Sequence, residues 1–314
     1  MSLTRLPGDQ KMNVLYQENT EGKHDLSPDI RVLIERIPLF HVSETVRVEP
    51  LSGGASLNNA NYCLTWHDQK YVLRVALEAA RFLGVRREEE LEAAHAAATI
   101  GLAPEILYSE PAGHLLMPWI NGRHWEREEF HEPHNLQRLA AALKQLHSLN
   151  HLRGDGSVYR RIERLLESAV SLQQELPENI AQFRVRMADI EARRRADPRF
   201  TPGLVHNDFW ANNFLDDGER LWIVDWEFGG HGDGFYDLAT TVLAGGYSED
   251  EQLLFLEAYG CTHSEDRQAL EAMKFIVSFF EGAWALVLHG LRGSSDYDYF
   301  SHSRRMFDRM VSQV

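Results

Sequence analysis

Apolar positions in this chain follow a two-residue alternation first and a helical period later. Between Ser27 and about Glu110 the pattern is mostly that of strands. "VRVEPLSGGASLNNANYCLTW" reads as two strands around a Gly-containing turn, and "HDQKYVLRVA" as a third. A helix follows over 86–100, rich in helix formers and stopped by Gly101 and Pro104. Past "LLMPWINGRHW" the period changes. Leu136, Leu139, Ala140, Leu143 and Leu146 fall on one helical stripe, and 160–195 and 266–292 repeat at helical spacing. Between those two segments lies "NFLDDGERLWIVD", whose Asp217-Gly218 pair predicts a hairpin turn. Residues 1–27 carry few apolar positions and read as a flexible leader. The expected architecture is α+β and bilobal. A nucleotide-side lobe of strands would span 28–116, and a larger helical lobe 117–314.

Composition narrows the function classes. A chain of 314 residues with 44% hydrophobic content can form two lobes around a cleft. Its formal charge of −15 argues against a nucleic-acid partner, which needs clustered Lys and Arg. That balance suits a cationic small molecule, and equally a surface that merely stays soluble. Cys63 and Cys261 stand far apart, so neither a disulfide framework nor a thiolate metal site is expected. No export signal and no run of about 18 apolar residues is evident, so the reading is cytoplasmic without membrane insertion. A homodimer is compatible with this sequence, though nothing in it specifies one.

The chemistry concentrates in "VHNDFWANNFLDDGERLWIVDWEF", residues 205–228. The hairpin return brings Asn213 and Asp225 to one end, within reach of Asp208 in the preceding loop. An amide and carboxylates sharing a site form an oxygen set suited to Mg2+. Singly, each would more often cap its own turn. Together, His-x-Asp-x-x-x-x-Asn followed by a strand ending in Asp is the kinase arrangement, with one Asp receiving the hydroxyl proton and Asn plus the later Asp holding metal.

"LVHNDFWANNF" with "IVDWEFGGHGDGFYDLA" resembles the choline/ethanolamine kinase branch of the aminoglycoside phosphotransferase superfamily, whose fold is protein-kinase-like. The resemblance implies ATP and Mg2+ as cofactors, Asp208 as catalytic base, and Asn213 and Asp225 as metal ligands. It further implies that His206 is structural and that Asp237 braces the catalytic loop.

A kinase half needs a phosphate loop, a strand cation and a helix carboxylate in the other lobe. Gly53, Gly54 and Ser56 are the loop candidates, although a Gly-Gly between strands is usually only a turn. No GxxxxGK[ST] occurs. Strand alternation puts Arg74 on the face of Val72 and Ala76, where it is either an exposed edge residue or a clamp on nucleotide phosphates. Its expected partner is Glu90, with Glu89 and Glu92 as competitors. Met117 and Trp119 are candidates for the adenine contact, or plain core, and Pro118 removes one backbone donor there.

For the acceptor, Trp210, Trp226, Glu227, Phe228 and Tyr236 flank the proposed metal site and offer aromatic faces and a carboxylate to a cation. Trp284 resembles the tryptophan on the helix that closes the choline pocket in the family, though a helical Trp is more often core. Phe228 stands where many choline kinases have Tyr. The expected activity is transfer of the ATP γ-phosphate to an amino alcohol, choline or ethanolamine first. Thiamine or an aminoglycoside are alternative acceptors, and a catalytically silent nucleotide-binding module is the alternative of another class.

Overall fold

The computed structural model describes residues 15–17, 28–40, 45–51, 58–150, 152–293 and 297–313. Gly53, Gly54 and Ser56 lie outside these described residues.

The small lobe is built from β1 (Leu15–Gln17), α1 (Pro28–Glu35), β2 (Thr45–Pro50), β3 (Asn59–Trp66), β4 (Gln69–Ala76), α2 (Arg87–Thr99), β5 (Tyr108–Ser109) and β6 (Leu115–Pro118). Its strands form one sheet in the order β1-β2-β3-β4-β6-β5, antiparallel apart from the β1–β2 pair. The β3–β4 hairpin closes through His67 and Asp68, both at positive φ, which is the twist-matched turn geometry for a two-residue connection. The strand alternation expected for β4 is present: Tyr71 and Leu73 enter the small core, while Val72 and Arg74 face the cleft.

Two expectations change here. Leu15–Gln17, part of the stretch read as a leader, pairs with β2. Residues 28–35, read as the start of strand-rich sequence, form a helix because Ile30, Leu33, Ile34 and Ile37 recur at helical spacing and bury one stripe against the sheet.

The large lobe contains α3 (Pro133–His147), α4 (Val158–Ser171), α5 (Ile180–Ala196), β7 (Gly203–Val205), β8 (Phe214–Asp216), β9 (Leu221–Ile223), β10 (Gly230–Gly232), α6 (Phe235–Gly245), α7 (Glu249–Tyr259), α8 (Ser264–Arg292) and α9 (Tyr299–Val311). The predicted stripe of α3 is buried throughout, and each such Leu contributes about 1.5–3 kcal/mol of burial. At the heart of the lobe runs α8, in contact with α4, α6 and α9. By length and composition it could cross a membrane, which departs from the expectation that no such segment exists, but 67% of its apolar window is buried inside the fold.

The two lobes have separate apolar cores. One assignment crosses the sequence boundary: α2 follows the small lobe's strands, yet its Ala93, Ala94 and Ala97 belong to the large core. Gly229 explains the small side chains, since a Cβ there would stand 2.8 Å from the Cβ of Ala93. The chain passes between lobes just after β6, so Met117 and Pro118 still belong to the sheet.

Candidate active site

The loop after β7 carries His206, Asn207 and Asp208, and α6 fixes it from behind. Asp237, fully buried in the first turn of α6, accepts hydrogen bonds from the backbone amides of His206 and Asn207, both at 2.8 Å. His147 Nε2 approaches the same carboxylate at 3.1 Å. Asn207 sits at φ 62°, a conformation Asn tolerates better than most residues, and donates its side-chain amide to the carbonyls of Gly156 and Phe228. His206 is buried, with Nε2 at 3.0 Å from the Val224 carbonyl and its ring edge-on to Trp226. Burial holds its imidazole below the usual pKa, so it is neutral.

Asn213 ends a 3-10 turn just before β8, one residue earlier than the strand start expected for it. Its Nδ2 donates to the Asp208 carbonyl at 2.8 Å and to Asp208 Oδ2 at 2.7 Å. Asp225 follows β9 at φ 63°, a left-handed turn that projects its carboxylate into the cleft. Asp208, Asn213 and Asp225 thus line one cavity of about 960 Å³ between the lobes. Burial, then the charges of Asp225, Glu281 and Glu227, push the Asp208 carboxyl well above its ordinary range.

From the sheet side, Arg74 is buried and ion-paired to Glu90 of α2, with Nη1 at 3.3 Å from Asp225 Oδ1. The competing carboxylates are engaged elsewhere. Glu89 pairs with Arg86 at 3.0 Å, and Glu92 accepts the backbone amides of Arg153 and Gly154 at 3.0 Å each. Several partners were not anticipated. Arg87 donates to the second oxygen of Glu90 at 2.8 Å, while Asn58 and Asn59 both donate to Glu227, the latter at 2.9 Å. Glu227, nearly fully buried, is pushed up to about 8, chiefly by that burial and then by Asp225.

At the connector, Met117 and Trp119 line the cavity. The Trp119 amide donates to the Lys70 carbonyl at 3.0 Å, which makes Pro118, opposite Tyr71, a position whose polar groups point away from β4. A proline there sacrifices no ladder bond.

The acceptor candidates divide. Glu227, Trp226, Phe228 and Trp284 all line the cavity, but Trp226 and Phe228 are buried and already packed. The Arg161 guanidinium lies over the Phe228 ring at 4.9 Å. Tyr236 lines a second, smaller cavity of about 480 Å³ on the other side of the catalytic loop. Tyr236 nonetheless lies near the large cavity's wall, its ring 6.2 Å from that of Phe280, and burial followed by the charges of Glu281 and Asp208 raises its phenol well above the ordinary range. The large cavity is lined also by Trp210, a flanking aromatic of the motif, and by Glu281, Tyr297, Tyr299 and His302, which were not singled out in the sequence. The proximity of Glu281 and Trp284 at i, i+3 on one helix was the available signal.

The profile of the phosphotransferase enzyme family matches residues 47–275, which holds both the cleft's sheet and its catalytic loop. The chain belongs to that family. A LicA homolog of Mycoplasma capricolum is 24% identical over 164 residues, 51% of this chain and 65% of that protein. The chain spans 65% or less of the length of the curated relatives it matches. Among solved structures, choline kinase LicA from Streptococcus pneumoniae superposes with a TM-score of 0.69 at 20% identity, covering 90% of this chain and 99% of that one. The streptomycin–ATP complex of the phosphotransferase APH(2")-IIa gives 0.59 at 19% identity, covering 90% and 99%. At such identities these likenesses establish the protein-kinase-like fold.

The kinase-type arrangement of the motif implies a divalent cation, and the donor set here fits one. Among the described residues no three His, Cys, Asp or Glu side chains gather tightly enough to hold a metal alone. Mg2+ commonly takes only one or two carboxylates and completes its shell with phosphates and water. Asp208, Asp225, Glu227 and Glu281 face one cavity, and the electrostatic burden falls on Asp208. Asn213 and Asp225 are the oxygen donors that suit such an ion.

Proposed function

We propose that this protein is an ATP- and Mg2+-dependent kinase that transfers the γ-phosphate to the hydroxyl of a small cationic amino alcohol, choline or ethanolamine being the first candidates. The observation that carries this reading is the convergence of Asp208, Asn213, Asp225 and Arg74 on one cavity whose far wall is aromatic and acidic.

Each residue has work that follows from its placement. Asp208, held by Asn213 through both its carboxylate and its carbonyl, is positioned to accept the hydroxyl proton. Burial and the neighbouring carboxylates raise its pKa, which strengthens it as a proton acceptor. Arg74, fixed by Glu90, presents positive charge toward nucleotide phosphates. Asn213 and Asp225 would hold Mg2+, which when bound neutralises phosphate charge. Met117, Pro118 and Trp119 form the wall against which adenine would lie. The ammonium end of the acceptor belongs among Glu227, Glu281 and Trp284. A cytoplasmic setting suits both the ATP requirement and the two free thiols.

ATP consumption with Mg2+ across choline, ethanolamine, thiamine and an aminoglycoside tests this. Turnover on an amino alcohol that disappears in Asp208→Ala supports it. Turnover on the aminoglycoside alone, or nucleotide binding without turnover on any acceptor, rejects it.

A further inference from the structure

Resting on the amino-alcohol reading, the structure also indicates which nitrogen the site prefers. The motif aromatics are poor places for a second cation. One side of Phe228 is already covered by the Arg161 guanidinium at 4.9 Å, and that arginine is 2% exposed. Among the described residues its Nε and Nη1 have no hydrogen-bond partner. Trp226 is edge-on to His206 at 4.7 Å and donates its indole N–H to the Ile223 carbonyl.

The opposite wall differs. Glu281 and Trp284 lie one turn apart on α8, and both line the cavity with Asp208. The Trp284 ring meets Tyr299 of α9 at 5.9 Å and 77°, giving an aromatic corner. Glu281 has a side chain only 13% exposed. Among the described residues its one ion-pair contact is His302 Nε2 at 3.5 Å, beyond the range of a strong charge-assisted bond. His302 is turned by Tyr297, whose hydroxyl lies 2.7 Å from Nδ1. A desolvated carboxylate without a close donor calls for one.

We infer that Glu281 is the ammonium-binding carboxylate of the acceptor site, and that with Trp284 and Tyr299 it selects amino alcohols whose nitrogen still carries hydrogens. A quaternary ammonium can be attracted to the aromatic corner but has no N–H to give to the carboxylate. A primary ammonium satisfies both. Glu281 is thereby the specificity-determining residue, and Asp208 remains the proton acceptor at the hydroxyl end.

The test is kcat/KM over ethanolamine, its N-methyl and N,N-dimethyl derivatives, choline, and the neutral isostere 3,3-dimethylbutanol, for wild type and Glu281→Gln. Wild type should decline along the methylation series. Glu281→Gln should raise KM for ethanolamine about 10- to 100-fold, the loss of one charge-assisted hydrogen bond, and flatten the series while the KM for ATP holds. A wild-type preference for choline, or a Glu281→Gln effect equal for all acceptors including the neutral one, overturns the inference. Calorimetric binding of ethanolamine and choline in the presence of a non-hydrolysable ATP analogue separates this from the broader reading. Ethanolamine binding that Glu281→Gln abolishes, without turnover on any acceptor, keeps the inference and rejects the kinase assignment. Turnover on uncharged alcohols with no ammonium binding does the reverse.

Discussion

Asn213 grips Asp208 at two points, donating one amide group to both its backbone carbonyl and its carboxylate. The proposed base and the proposed metal ligand are therefore one mechanical unit, and the rotamer of either is set by the other.

Replacing Asp208 by Asn keeps that shape and removes the charge. Turnover should fall about 10²- to 10⁴-fold, the usual weight of a positioned base. The folded state should lose nothing and gain thermal stability, because a buried carboxylate faces three others in the cavity. A melting curve beside the kinetic assay checks both, and a lower melting temperature would contradict the electrostatic account.

Glu90→Ala leaves Arg74 buried with Asp225 as its remaining ion-pair partner among the described residues. Removing one partner of a buried pair costs about 3–5 kcal/mol, so denaturant unfolding should show a loss of that order. Arg74→Ala should be milder in stability, since Glu90 keeps Arg87 at 2.8 Å, and harsher in the KM for ATP. Equal effects of the two changes on ATP affinity would argue against Arg74 as the phosphate contact.

Asp237→Asn offers one carboxyl-type oxygen where two backbone amides need one each. An unpaired buried amide costs about 1–3 kcal/mol, and a catalytic loop displaced by about an ångström can cost on the order of 100-fold in rate. Stability and kcat should therefore drop together, with the KM for acceptor less affected.

Asp216 at the tip of β8 accepts both terminal nitrogens of Arg138, at 2.6 and 2.9 Å, and the Trp125 indole N–H at 2.8 Å. The Arg138 hydrogen bonds hold its carboxyl far below the usual range. A depressed folded pKa means stabilisation that is complete above the unfolded value and lost as pH falls through the folded one. Unfolding free energy measured from pH 6 downward should decline in wild type, and Asp216→Asn should show a shallower decline from a lower plateau.

How much was legible in the sequence depended on distance along the chain. Asp208, Asn213 and Asp225 share one hairpin and its approach, so spacing alone gathers them. The Arg74–Glu90 pair needed a strand period and a helix, and the choice over Glu89 and Glu92 was undecidable because the rotation of α2 is fixed by packing of its alanines against the large core. Asn58, Asn59 and Arg161 reach the site from segments whose role the sequence did not reveal. The acceptor wall on α8 and α9 was only partly readable: Trp284 stood out through the family resemblance, while Glu281 was marked only by its i, i+3 spacing to it. The helix α6 was missed for a related reason: nearly all of its residues are buried, so it has no polar face to give a period.

Because α2 is anchored in the large core, the polar ties across the cleft described here run from the sheet to the other body. Arg74 reaches Glu90 and Asp225, and Asn58 and Asn59 reach Glu227. Any swing of the sheet must pull one cation and two amides away from three carboxylates at once. These ties form an electrostatic latch across the cleft, and an anion placed beside Arg74 would have to compete with Glu90 and Asp225 for it.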